Sequence, residues 1–244
     1  MEILKIILIL YSVLVTSNVV RAESTKTDLI LSDLKSPITT PAVWILGAGS
    51  ITTAMMYITK KNIAYRQRVS FQDAKPLGNL GFIGDYVGYG LLNLTYFSYH
   101  YYQYQQHQNP ESLKRAEHMM RATLYTFGTT SALKYAIKEK RPGYPDDKHS
   151  FPSGHASASF AFASVVAAQH GWVWGGAAHA LASFIATSRI NDDFHYLHDI
   201  TAGITIGASY AWGVYYNLEK GSDYWLTLVP APKRGVGLAF GFDY

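Results

Sequence analysis

The 244-residue chain contains no cysteine. That excludes disulfides, thiolate metal ligands and cysteine nucleophiles, and it leaves the redox compartment open. Charge of one sign is also scarce: 21 Lys and Arg stand against 17 Asp and Glu, a formal net charge of +4. The basic residues fall in small scattered groups rather than a stripe, so no nucleic-acid partner is expected. A mild positive balance suits anionic substrates or anionic membrane faces. Mean hydropathy is close to zero, low for a chain made mostly of membrane helices. Internal repeats and low-complexity tracts are absent. What the chain has in excess is tyrosine, 19 against 11 Phe, a residue suited to half-wet surfaces including membrane interfaces.

The length fits one domain of about 200 residues after processing. Residues 1–22 read as a secretory signal, with Lys5 in the n-region, Ile6 to Val15 as the apolar stretch and Val20-Arg21-Ala22 as a small-residue cleavage site. An uncleaved anchor is the competing reading. Residues 23–40 are polar, run into Pro37 and Pro41, and read as an extended lead-in. A helical domain follows over 41–220. Pro41 to Thr59 is uncharged and reaches the length of a membrane span, with a buried central helix as the alternative. Lys60 to Lys75 is a charged connector. Gly81 to Tyr104, uncharged apart from Asp85, predicts a second helix. Ser112 to Lys140 predicts one long amphipathic helix, stopped by Arg141-Pro142. Residues 153–170 and 173–189 predict two Ala- and Ser-rich helices joined at His170-Gly171-Trp172, and His195 to Leu218 the last helix. In 221–244, Val236, Leu238, Phe240, Phe242 and Tyr244 alternate with small or polar residues, which predicts a β-hairpin turning over Pro230 to Gly235.

The chain is organised around Ser188 to Asp199, SRINDDFHYLHD. A helix starting near His195 would set Asp199 one turn on, at i+4 on the same face. A carboxylate there can hold an imidazole in one tautomer and stabilise its positive charge, as a nucleophilic histidine requires. Arg189 adds a planar donor fork suited to phosphate oxygens. Alone, these spacings describe a solvated turn as well as a site. Two upstream stretches change that: Lys134, six residues and Arg141-Pro142, then Pro152-Ser153-Gly154-His155.

Together the three stretches resemble the signature of the type 2 phosphatidic acid phosphatase superfamily, which includes bacterial non-specific acid phosphatases and vanadium haloperoxidases. Its pattern, K-x6-R-P, P-S-G-H and S-R-x5-H-x3-D, is met at every specified position. One departure is the spacing of nine residues between Pro142 and Pro152, short for the family, which bears on the pocket rim. The resemblance implies an all-α helical bundle, here with the small C-terminal hairpin appended, and a metal-independent phosphatase acting on phosphomonoester or diphosphate bonds. It implies His195 as nucleophile, Asp199 as its orienting partner and His155 as acid and then base. Lys134, Arg141, Ser153, Gly154 and Arg189 would bind the phosphoryl group, and no cofactor or metal would be needed.

The substrate, a phosphorylated lipid or a small soluble phosphoester, stays open. So do two alternatives, a vanadate-dependent haloperoxidase and a non-catalytic binding protein that keeps the fold. Membrane members of the family place the pocket on the outer face, whereas spans at 42–59, 81–103 and 117–139 would carry Arg141 to the inner one. The reading favoured is therefore an exported globular domain, periplasmic or extracellular, with peripheral membrane contact rather than integral insertion. His198 and His149 read as rim or structural residues, Asp192 and Asp193 as solvated turn residues, and His170 and His179 as core or surface histidines.

Overall fold

The computed structural model describes residues 24–219, 224–231 and 235–242. The signal reading of 1–22 and the middle of the C-terminal turn lie outside these residues. The described helices are α1 (Ser24–Thr39), α2 (Val43–Ile58), α3 (Lys60–Gln67), α4 (Gly81–Val87), α5 (Leu91–His107), α6 (Pro110–Ile137), α7 (Gly154–Asn191) and α8 (Leu197–Glu219). A π-helical turn, Arg68–Asp73, and a 3-10 turn, Gly78–Leu80, join α3 to α4. Strands β1 (Tyr224–Ala231) and β2 (Gly235–Phe242) pair antiparallel, Leu228 opposite Leu238.

The core lies where α7 and α8 cross, with Ala156, Phe160, Ala163, Ala182, Ala186 and Ile200 buried together. Small residues let these helices meet backbone to backbone. A Cβ on Gly203 would lie 2.6 Å from the Ser153 carbonyl oxygen, and one on Gly207 2.2 Å from that of Ser157. This approach sets the first turn of α8 beside the start of α7. A second cluster joins α5, α6, α7 and α8 through Phe97, Ala116, Met119, Ala122, Val165 and Ala211.

Helix ends follow local chemistry. Asn109 caps α6 by accepting from the Glu111 amide, with Pro110 at the first helical position, where its missing N–H costs nothing. The helix ends at Ile137, three residues before the Lys140 expected, because Lys138 turns left-handed at φ 54°. The break foreseen at Gly171 is present: φ 79° and ψ −176° interrupt α7 there, a conformation favouring glycine. The single helix expected over 81–104 is instead α4 and α5, parted at Gly90 with φ 87°. Most of the 60–75 connector is helical as well.

The lead-in expected to be extended over 23–40 is helix α1. Tertiary contacts override its polar composition. Asp33 is fully buried and accepts from Arg121 Nε at 2.7 Å and from Asn217 Nδ2 at 2.8 Å, so its charge is paired. The Tyr210 hydroxyl donates to the Leu34 carbonyl. Pro37 sits in the last turn, where the Thr40 amide still reaches the Ser36 carbonyl.

The apolar stretch 41–59 yields a helix of only 16 residues. Among the described residues no single helix is long and apolar enough to cross a membrane; the pair Ile30–Thr39 and Val43–Ile58 together would be, but is bent by 63°. Helix α2 lies on α8 through Gly49, whose Cβ would meet Thr205, and turns Trp44, Ile51, Met55 and Ile58 outward.

Candidate active site

The three sequence stretches meet where α6, α7 and α8 begin or end. Ser153 caps α7, its hydroxyl oxygen accepting from the Ala156 amide at 3.4 Å. The Ser153 amide donates to the Asp199 carbonyl at 3.0 Å, which ties the second stretch to the third. Lys134 stands in the last turn of α6, its Cε 3.8 Å from the position of a Gly154 Cβ. A side chain there would thus stand against the lysine stem. The first-turn amides of Gly154 and His155 are orphan donors of a helix N-terminus, a ready anion site.

His195 lies two residues ahead of α8, 2% exposed, with Nδ1 3.4 Å from Asp199 Oδ2. Asp199 itself sits in the first turn rather than a full turn in. Its Oδ2 also accepts from Ser150 Oγ at 2.6 Å and from the Tyr196 amide at 2.8 Å. His195 Nε2 faces Arg141 Nη1 at 3.4 Å. Carboxylate only accepts and guanidinium only donates, so Nδ1 carries the proton and Nε2 presents its lone pair. Burial, opposed in part by the Asp199 hydrogen bond, pushes the imidazole pKa down to about 4. Burial alone would raise Asp199, but the His195 hydrogen bond and the nearby imidazoles outweigh it and hold the carboxyl below its ordinary value.

His155 Nε2 lies 3.1 Å from the Asp85 carbonyl and 3.2 Å from Asp85 Oδ1. Both are acceptors, so this Nε2 carries a proton. Burial lowers the His155 pKa, and the Asp85 hydrogen bond opposes that drop. The same carboxylate oxygen takes Arg189 Nη1 at 2.5 Å. The His155 hydrogen bond, ahead of Arg189, holds Asp85 below its ordinary value. Arg189 is 1% exposed and also donates from Nη2 to the Gly81 carbonyl at 3.0 Å.

Both guanidiniums lie against the Phe194 ring, Arg141 at 5.3 Å and Arg189 at 5.2 Å from its centroid. Arg141 Nε donates to Asp147 Oδ2 at 2.7 Å, and Lys134 Nζ donates to the His149 carbonyl at 2.7 Å. The 143–151 loop thus folds back over the cations. Burial first, then the Arg141 charge, bring the Lys134 pKa down to about 8.

All eight residues singled out from the sequence are therefore in one neighbourhood. Sequence reasoning gave no role to Asp85, whose one signal was a lone charge in an otherwise uncharged stretch. Ser150, Asp147 and Phe194 were equally illegible, since each acts through loop closure. Asp192, expected to be solvated, lies 3.4 Å from Arg189 Nη2 and accepts from Asn191. His170, away from the site, bonds the Tyr96 hydroxyl at 2.8 Å.

Among the described residues the group with metal-ligand chemistry is Glu139, His198 and Asp199, whose donor atoms lie within 4.8 Å of one another. The Lys60 ammonium contacts Glu139 there, so that carboxylate already has a cation.

No curated protein matches the chain. Among solved structures, the crystal structure of a transmembrane PAP2-type phosphatidylglycerolphosphate phosphatase from Bacillus subtilis aligns with 80% of this chain and 96% of its own, at 21% identity and a TM-score of 0.47. The model of the PAP2 superfamily matches residues 100–222, half the chain and all three stretches of the site. The chain belongs to the PAP2 superfamily.

Proposed function

We propose that the protein is a phosphatase that hydrolyses phosphomonoester or diphosphate bonds through a phosphohistidine on His195. The observation that carries this reading is the placement of His195, with Nδ1 3.4 Å from Asp199 Oδ2 and Nε2 3.4 Å from Arg141 Nη1. The Nε2 lone pair attacks phosphorus, the bond from phosphorus to the leaving oxygen breaks, and protonated His155 gives that oxygen a proton. His155 then takes a proton from water as the water oxygen attacks the phosphorus. The phosphorus–Nε2 bond breaks and inorganic phosphate leaves.

Lys134, Arg141, Arg189, Ser153 and the Gly154 amide balance the charge that moves across the phosphoryl oxygens. In this reading the three cations perform the neutralising work that divalent ions perform elsewhere, and no metal or other cofactor takes part.

The substrate reading leans to a phosphorylated lipid, met at a membrane face outside the cytoplasm. Its support is the outward side of α2, where Trp44 is 80% and Ile58 82% exposed, a patch of the kind that marks membrane or partner contact. The C-terminal end of α2 leads directly into Lys60 beside the site.

The test is phosphate release in EDTA, offering a water-soluble aryl phosphate and, separately, a phosphatidic or isoprenoid phosphate in detergent. The reading expects EDTA-insensitive turnover, with the lipid preferred. Turnover of the aryl ester alone would overturn the lipid assignment. Release of phosphate from neither would overturn the hydrolase, and bromide oxidation with added vanadate would then identify a haloperoxidase.

A further inference from the structure

Asp199 has two oxygens with different surroundings. Oδ2 takes Ser150 Oγ, the Tyr196 amide and His195 Nδ1. Oδ1 has no aligned hydrogen bond although it is buried; what it faces is His198 Nε2, at 3.1 Å and off the angle of a hydrogen bond. The same Nε2 lies 3.1 Å and 3.0 Å from the two oxygens of Glu139. Every atom facing it only accepts, so His198 Nε2 is an N–H placed between two carboxylates.

The ring is held on all sides. It is 2% exposed, stacks on Tyr196 and Phe151 with centroids 5.4 Å and 6.0 Å away, and meets the edge of Tyr57 at 5.3 Å. Lys60 closes the far side, in contact with Glu139 and 4.0 Å from the Tyr196 centroid. Without the N–H, two carboxylates would face each other across a buried gap. Like charges so placed favour protonation of one of them, and a protonated Asp199 no longer stabilises positive charge on His195.

We propose that His198 is a positioning residue for the nucleophile, its Nε2–H holding Asp199 from behind against the Glu139–Lys60 pair. The proposal rests on the phosphohistidine reading above and gives a role to a residue at an unspecified position of the third stretch, between His195 and Asp199.

Two full-length variants separate the N–H from the ring. His198→Phe keeps a stacking ring and removes the donor; His198→Gln keeps a donor and removes the ring. With the aryl phosphate, His198→Phe is expected to lower kcat by about ten- to a hundredfold with KM little changed. That is short of the roughly 10⁴-fold cost of altering a triad carboxylate. His198→Gln is expected to recover most of the loss, even where its Tm is the lower of the two. An unchanged kcat in His198→Phe, or losses in the two variants that follow Tm alone, would overturn the proposal.

Proton NMR of the hydrogen-bonded His195 Nδ1–H supplies a readout that needs no turnover. Its downfield resonance should be lost or shifted in His198→Phe and kept in His198→Gln, and persistence in His198→Phe would count against the role. Should the unsubstituted protein release no phosphate, the hydrolase reading fails, and this resonance still decides whether His198 holds Asp199.

Discussion

In the proposed mechanism the two histidines of the site have opposite tasks, and what touches each of them differs. His195 has its pKa brought to about 4 by burial, so it is neutral, as a nucleophile must be, above that pH. His155 has to begin protonated, and burial places its pKa below the ordinary 6.5 while Asp85 limits the fall. Activity should therefore rise as pH increases through about 4 and decline again below 6.5, an acidic optimum. Removing the Asp85 charge removes the interaction that favours protonated His155. Asp85→Asn should move the alkaline limb of kcat/KM to lower pH and leave the acidic limb in place. A pH–rate profile measures both limbs, and an alkaline limb that stays put would show that Asp85 does not act on His155. The sequence named both histidines because each lies in a fixed pattern of neighbours. It did not assign Asp85 a role, because the link from Asp85 to His155 and Arg189 spans 70 and 104 residues of chain.

At the scale of elements, the site depends on how closely α8 approaches α7. Gly203 meets the Ser153 carbonyl oxygen, a backbone atom that cannot swing away, so Gly203→Ala would force the helices apart. The expected cost is about 1–3 kcal/mol of stability, with a fall in kcat because the Ser153–Asp199 bond lies at the same crossing. Gly128→Ala is the matched control: nothing lies within 4 Å of the added Cβ, and in an exposed helix the change should stabilise by up to about 1 kcal/mol. Thermal unfolding and kcat on both variants check the contrast. The long elements were legible through their periodicity and punctuation, including the break at Gly171 and the last helix to within two residues of each end. The short ones were not. α1 exists because Asp33 finds Arg121 and Asn217, and the 81–104 stretch divides because Gly90 turns left-handed. The first cause is not local in the sequence; the second is one glycine among several in that stretch.

For the whole molecule, the helices bring His195, His155 and three cations to one end of the α7–α8 crossing, and α2 joins an outward apolar face to that end through Lys60. The sequence reached this arrangement through residues 134–199, but not Asp85, which meets His155 and Arg189 from α4. The proposed mechanism turns on one covalent event, phosphorylation of His195. The most direct measurement is rapid quench of the enzyme during turnover of an aryl phosphate, under conditions that preserve phosphohistidine, followed by peptide mass spectrometry. A phosphoryl group on the peptide carrying His195, increased in His155→Asn and absent in His195→Ala together with all phosphate release, is the result predicted. Phosphate release that persists in His195→Ala, or a phosphoryl group on another residue, would contradict it.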